Sequence, residues 1–193
     1  AQILRCWNSG NITVSDSRAG GIAGQNTFKS VMTDCFNTGN IVNTATAVTA
    51  NATNKKASKG YGVGGVIGEG GGVMTRCYNM GNVKGIANVG GIVGRPYNTS
   101  TNLSSCYNAG IVDAPADSCG NIIGSKLTDN GLVWKPANNS VKDCYWVNVA
   151  PAPQVDKAAA VGVDNVEGIK EMTEAGLAAL DMGEGWTNLP YTF

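Results

Sequence analysis

The chain of 193 residues contains no histidine. That absence excludes a Ser-His-Asp triad, a Cys-His nucleophile pair and a His-ligated metal site within it. An excess of charge is missing too: 14 Lys and Arg balance 14 Asp and Glu, so there is no basic footprint for nucleic acid. Charged residues as a class are scarce, at 15%, against roughly 25% in an average domain. No apolar run approaches the ~18 residues that a membrane-spanning helix needs. The opening Ala1-Gln2-Ile3-Leu4-Arg5 does not read as a signal peptide. In abundance instead are 27 Gly and 21 Asn, about a quarter of the chain, beside 42% apolar residues, which fit a packed core.

Those Gly and Asn recur in a pattern. Cys6-Trp7-Asn8-Ser9-Gly10-Asn11-Ile12 returns as Cys35-Phe36-Asn37-Thr38-Gly39-Asn40-Ile41, Cys77-Tyr78-Asn79-Met80-Gly81-Asn82-Val83 and Cys106-Tyr107-Asn108-Ala109-Gly110-Ile111-Val112. Cys144-Tyr145-Trp146-Val147-Asn148 is a decayed fifth copy. An apolar residue stands three positions before each Cys: Ile3, Met32, Met74, Leu103 and Val141. A second element alternates with the first, as Gly20-Gly21-Ile22-Ala23-Gly24, Gly64-Gly65-Val66-Ile67-Gly68, Gly90-Gly91-Ile92-Val93-Gly94 and Gly120-Asn121-Ile122-Ile123-Gly124. The replacement of Gly by Asn121 suggests a left-handed backbone at that position, since Asn tolerates it best after Gly. The Cys-to-Cys spacings are 29, 42, 29 and 38 residues. The period is therefore 29, with insertions at about 44–60, read as an exposed mobile loop, and around 125–140.

Each unit holds only short β-branched runs between turn residues, which read as strands and not helices. One unit cannot bury its apolar side chains alone, so neighbours must stack. The expected fold is all-β: a right-handed parallel β-solenoid (β-helix) of about five coils, spaced about 4.8 Å apart. Residues 1–149 form this solenoid. Residues 150–193 break the pattern and read as a small C-terminal cap, because an open solenoid end exposes edges and core. A short helix is expected there over about 173–182, capped by Thr173 and ended by Gly183. The first repeat starts at once, with Ile3 and Cys6 already in it, as expected of a piece of a longer protein.

Stacking turns equivalent residues into ladders. Cys6, Cys35, Cys77, Cys106 and Cys144 read as free buried thiols: parallel Cβ vectors miss disulfide geometry, and no C-x-x-C marks a metal site. Cys119 falls outside that column and has no reading of its own. Asn8, Asn37, Asn79 and Asn108, and Asn11, Asn40 and Asn82, read as amide ladders and bend formers. Arg5, Asp34, Arg76, Ser105 and Asp143, one place before each Cys, read as an inter-coil charge ladder. Trp7, Phe36, Tyr78, Tyr107 and Tyr145 follow the Cys column by one and therefore point outward. They are the candidate ligand-binding residues, for sugar rings or a partner protein. The competing reading is that they stack on one another, or lie under the C-terminal segment, and only stabilise the fold.

Other chemistry is thin. Gly60-Tyr61-Gly62-Val63-Gly64-Gly65 matches G-x-G-x-x-G but opens no helix, and the repeat already explains Gly64 and Gly65. The nine Asp and five Glu are scattered, so a glycosidase pair would have to be assembled by the fold. No catalytic residue, metal ligand or cofactor is expected.

The alternation of Cys-Tyr-Asn-x-Gly-Asn-Val with Gly-Gly-Ile-Val-Gly, clearest at 77–94, resembles the GLUG repeats of bacterial surface proteins. The resemblance covers about residues 3–148. Glu171-Met172 through Leu180, then Trp186 and Leu189-Pro190-Tyr191, is similar to the segment that often closes such repeats. It implies a secreted or wall-attached bacterial protein, adhesin-like or from the non-catalytic region of an immunoglobulin A protease, with no peptidase motif carried over. The expected function is a non-catalytic stalk or adhesive segment of an extracellular protein, with host or bacterial glycans or surface proteins as partners, and neither nucleic acid nor membrane insertion. The alternatives are a carbohydrate-binding module using an exposed aromatic ladder, and a β-helix polysaccharide-processing enzyme.

Overall fold

A computed structural model describes residues 1–50, 57–115, 119–124, 140–147 and 168–180. The chain is an all-β parallel β-helix. Most strands are two to four residues long, closed in by turn residues. Longer runs occur at Ile67–Thr75 and Val93–Ser104, where the end of a Gly-Gly element continues into the residues before the next Cys.

Four parallel sheets run up the stack. The first joins Gln2–Leu4, Val31–Thr33, Ile67–Thr75, Val93–Ser104 and Val141–Lys142, and its register places Ile3, Met32, Met74, Leu103 and Val141 one above the other. The second joins Trp7–Asn8, Phe36–Asn37, Tyr78–Asn79, Tyr107–Asn108 and Cys144–Val147. The third stacks Ile12–Val14, Ile41–Asn43, Val83–Lys84 and Val112–Asp113. The fourth stacks Ala19–Gly20, Val63–Gly64, Val89–Gly90 and Cys119–Gly120. Register is therefore the sequence repeat made physical: identical motif positions pair, across 29-residue and 42-residue steps alike.

Two apolar columns fill the interior. One is built from Met32, Met74 and Leu103, the four thiols of Cys35, Cys77, Cys106 and Cys144, and the aliphatic pairs Val66-Ile67, Ile92-Val93 and Ile122-Ile123. The other holds Ala19, Val63, Val89 and Cys119 against Ile41, Val83 and Val112. Cys119, unread in the sequence, is thus the fourth rung of the Ala19-Val63-Val89 column, and its thiol donates to the Pro115 carbonyl at 3.1 Å.

The left-handed corners stand elsewhere than expected. Gly21, Gly65, Gly91 and Asn121 do not have positive φ. The glycines are small because space is short: a Cβ on Gly21 would sit 2.5 Å from the Asn37 Cγ, and one on Gly65 would sit 2.6 Å from the Asn79 Nδ2. In the coil of Asn121, the second sheet carries Trp146 in the register of the ladder Asn. Positive φ occurs instead three positions earlier, at Arg18 (61°), Gly62 (72°) and Asn88 (49°). It also occurs one position before every Cys of the column, at Arg5 (53°), Asp34 (57°), Arg76 (50°), Ser105 (51°) and Asp143 (50°). The residues read as a charge ladder are therefore first of all the corner between the first two sheets. Their side chains still pair where charge permits: Arg76 grips Asp34 through Nε at 2.6 Å and Nη2 at 3.1 Å.

The insertion at 44–60 is exposed at Thr44 and from Thr46 to Thr49, but it is not a plain loop. Thr49–Ala50 and Ala57–Lys59 pair antiparallel. In the segment read as a cap, Ile169–Met172 adds a further parallel strand to Cys144–Val147, with Ile169 opposite Cys144. The helix follows at Glu174–Ala178, shorter than expected, and Thr173 caps it by accepting from the Gly176 N–H at 3.0 Å. The expected stop at Gly183, the closing residues Trp186 and Leu189-Pro190-Tyr191, and the insertion at 125–139 lie outside the described residues.

Candidate functional site: the aromatic and asparagine ladders

The second sheet carries the candidate residues. Most of its strands are two residues long, one aromatic and one Asn, so alternation sends the two side chains to opposite faces. The Asn side chains turn inward and form a continuous chain. Asn8 Nδ2 donates to Asn37 Oδ1, Asn37 to Asn79 and Asn79 to Asn108, each at 2.8 Å. The second proton of each amide goes to the carbonyl two residues on, Gly10, Gly39, Gly81 and Gly110, at 2.7–2.8 Å. Asn37, Asn79 and Asn108 are fully buried, so these bonds replace the water each amide gives up. A second ladder works through the backbone: Asn40 N–H donates to Asn11 Oδ1, Asn82 N–H to Asn40 Oδ1, and Ile111 N–H to Asn82 Oδ1, at 2.9–3.1 Å.

The aromatic side chains stand on the other face, as the alternation requires, in register from Trp7 through Phe36, Tyr78 and Tyr107 to Tyr145. Phe36 and Tyr78 are parallel with centroids 4.8 Å apart, and Tyr78 and Tyr107 repeat that distance. Trp7 stacks on Phe36 at 6.2 Å. Of the two readings open in the sequence, the stacked one describes the three middle rings. Phe36, Tyr78 and Tyr107 are 3%, 1% and 4% exposed and form one buried cluster with Val147 and Leu177 of the helix, against which Met80, Ala109, Tyr145, Met172 and Leu180 pack. Tyr145 is half-buried, and of the five rings only Trp7, at 59%, is open. Burial, and the neighbouring Tyr78, push the Tyr107 phenol well above its ordinary range.

The thiol column is equally closed. All six cysteines are reduced, and five are buried; Cys6 is exposed. Bonding with the next thiol, and then burial, raise Cys35. Bonding with the next thiol leads for Cys77 as well, and burial leads for Cys106. Such thiols are poor nucleophiles.

One polar cluster was not foreseen. Glu69, 5% exposed, accepts from Arg18 Nε at 2.6 Å and from Arg95 Nη1 at 3.4 Å. Both guanidiniums lie over the buried Tyr61 ring, 5.5 and 5.1 Å from its centroid. Burial, and then the Glu69 charge, raise the Tyr61 phenol. The sequence signal was present: Gln25, Glu69 and Arg95 share a register, so a carboxylate falls beside a guanidinium one coil on. Three other carboxylates are also committed to cations: Asp34 to Arg76, Asp113 to Lys84 and Asp143 to Lys142. No group of three or more potential metal ligands occurs among the described residues. A shallow depression lined by Glu171 to Ala175 lies beside the start of the helix.

Fold and ladders together define the class: a repeat-built parallel β-helix whose motif side chains bond to their own copies above and below. Residues 15–42, which hold the first Gly-Gly element and the second Cys-aromatic-Asn element, match the family model of the GLUG motif. No curated protein and no solved structure matches the chain.

Proposed function

We propose that this chain is a non-catalytic stalk segment of a larger extracellular bacterial surface protein: a right-handed solenoid of five coils over 1–149, closed by a capping segment at 150–193. Right-handedness follows the general rule for parallel crossovers. The observation that carries the stalk reading is the use made of the motif residues. The inner Asn side chains, the thiols and three of the five ladder rings are engaged within the coil stack or beneath the helix. A segment whose repeated residues serve coil-to-coil cohesion suits holding distance between other parts of a protein better than binding a ligand along its length. Partners, if glycans or surface proteins, belong to the insertions or to neighbouring parts of the larger protein.

Two measurements test this. On a glycan array the segment is expected to give no signal. A signal abolished by Tyr78→Ala with Tyr107→Ala, in a protein that still folds, would establish the carbohydrate-binding alternative instead. An antibody raised against the segment is expected to label intact cells of the bacterium that produces it; labelling only after lysis would overturn the surface assignment.

A further inference from the structure

We propose that the corner at the base of the 44–60 insertion is a docking site for an acidic, extended segment of a partner protein, a carboxylate of which is held by Arg95 and Arg18; this rests on the reading that partners of the segment belong to its insertions. Charge points this way. No Asp or Glu stands between Asp34 and Glu69, while Lys55, Lys56 and Lys59 all fall in that stretch. Lys59 is exposed and leads through Gly60 straight into Tyr61, the ring over which both guanidiniums lie. Two carboxylates belong to the same corner. Asp16 is exposed, and its carbonyl accepts from the Gly60 N–H; Glu69 is buried and shared by both arginines. Three lysines and two arginines against these two carboxylates leave the corner and its insertion with a net charge of +3. Such a surplus favours an acidic partner.

Bonding at the corner is incomplete. Arg18 holds Glu69 at 2.6 Å and keeps 42% of its side chain exposed. Arg95 is only 19% exposed, yet among the described residues its guanidinium makes one hydrogen bond, to Glu69 Oε1 at 3.4 Å. A guanidinium has five N–H donors, and one largely removed from water is stabilised by an acceptor for them. Asn88 is 2% exposed and its Oδ1 has no hydrogen-bond partner. It stands one coil after Gly62, where a Cβ would lie 3.7 Å from the Glu69 Cβ; Arg95 stands one coil after Glu69, so the repeat sets Asn88 beside Arg95. The chemistry of the ligand follows. A planar carboxylate matches the guanidinium fork, whereas a phosphate dianion would meet about twice the repulsion from Glu69. The insertion also offers a strand edge. Ala57–Lys59 pairs with Thr49–Ala50 in a two-stranded sheet apart from the four coil sheets, and among the described residues its other edge is unpaired. An extended polypeptide can add to that edge through main-chain hydrogen bonds, which a polysaccharide cannot do.

The test titrates the full chain against a fluorescein-labelled decapeptide of alternating Glu and Thr, read by fluorescence anisotropy. Saturable binding is expected, and none for the matching Gln-Thr peptide. Arg95→Gln and Lys59→Gln are each expected to weaken binding by about fivefold or more. Lys142→Gln, which removes an exposed cation from the first sheet of the last coil, is expected to leave it unchanged. Arg95→Lys keeps the charge but not the fork, and is expected to weaken binding while melting close to the parent, so a folding defect in Arg95→Gln does not decide the result. Absence of binding to the Glu-Thr peptide, equal binding of the Gln-Thr peptide, or equal weakening by Lys142→Gln would overturn the proposal. So would heparin, a sulfated polysaccharide, binding at least as tightly with the same dependence on Arg95 and Lys59. Surface display is read by antibody labelling and stands or falls apart from these outcomes.

Discussion

Asn79 is the position where the ladder is most completely committed, and Asn79→Asp is the substitution that tests the ladder most sharply. The side chain is fully buried and makes three bonds at 2.7–2.8 Å: it accepts from Asn37 and donates to Gly81 O and Asn108 Oδ1. Asn79→Ala removes all three. At about 1 kcal/mol net for each, the loss is roughly 3 kcal/mol, since Asn37 and Asn108 keep their bonds to Gly39 O and from Gly110 N–H. Asn79→Asp keeps the shape and the acceptor but sets a carboxylate oxygen against two acceptor oxygens in the interior. The two lost donations, the repulsion and the burial of charge put it at roughly 4 kcal/mol or more at neutral pH. The isosteric change is thus expected to cost more than the truncation.

The sign with pH follows. Burial against acceptors raises the folded-state pKa of the introduced carboxyl above the ~3.9 of the unfolded chain. The stability of Asn79→Asp is therefore fully present below the unfolded value, where the protonated acid donates one bond, and is lost as pH rises through the folded value. Urea unfolding curves of the wild type and both variants at pH 4 and pH 7 measure this. If Asn79→Asp at pH 7 is no less stable than Asn79→Ala, or if its deficit does not shrink at pH 4, the amides of the ladder are not oriented as described.

Four further outcomes are expected. Glu69→Gln leaves two guanidiniums over Tyr61 without their carboxylate, and unfolding is expected to become easier by about 3 kcal/mol, as for a broken buried pair; a loss under about 0.5 kcal/mol would mean that solvent already screens the cluster. Ser105→Gly relieves a non-glycine residue held at φ 51° and is expected to stabilise by up to ~1 kcal/mol, while Ser105→Val destabilises, both read from thermal melts. Leu177→Ala, which thins the cover over the stacked rings, is expected to lift the helix off them and expose tyrosine fluorescence to acrylamide, at a cost of about 2–3 kcal/mol. Tyr61 and Tyr107 have folded pKa values raised above the unfolded ~10, so their contribution persists below that value and disappears as pH rises through the folded values; ultraviolet titration of the native protein is expected to show both phenols ionising only at higher pH than in the unfolded chain.

Repetition in the sequence dictates a great deal. A recurring Cys-aromatic-Asn-x-Gly-Asn motif must pair with its own copies, because no single unit buries its apolar residues. That requirement sets the parallel register, the Met and thiol column and both Asn ladders, and the Thr173 cap is legible from its own local pattern. What covers a face is another matter. That Phe36, Tyr78 and Tyr107 share a buried cluster with Leu177 of the helix is encoded by no periodicity. The requirement for Gly at 21, 65 and 91 is visible in the sequence, but its reason is not: closeness of the Asn ladder, and not dihedral freedom, excludes a side chain there. Glu69 and Arg95 share a register one coil apart, whereas Arg18 and Tyr61 join them only because stacking brings neighbouring coils together. Repeats specify neighbours along the stack; contacts across insertions and from the closing segment come from tertiary packing alone.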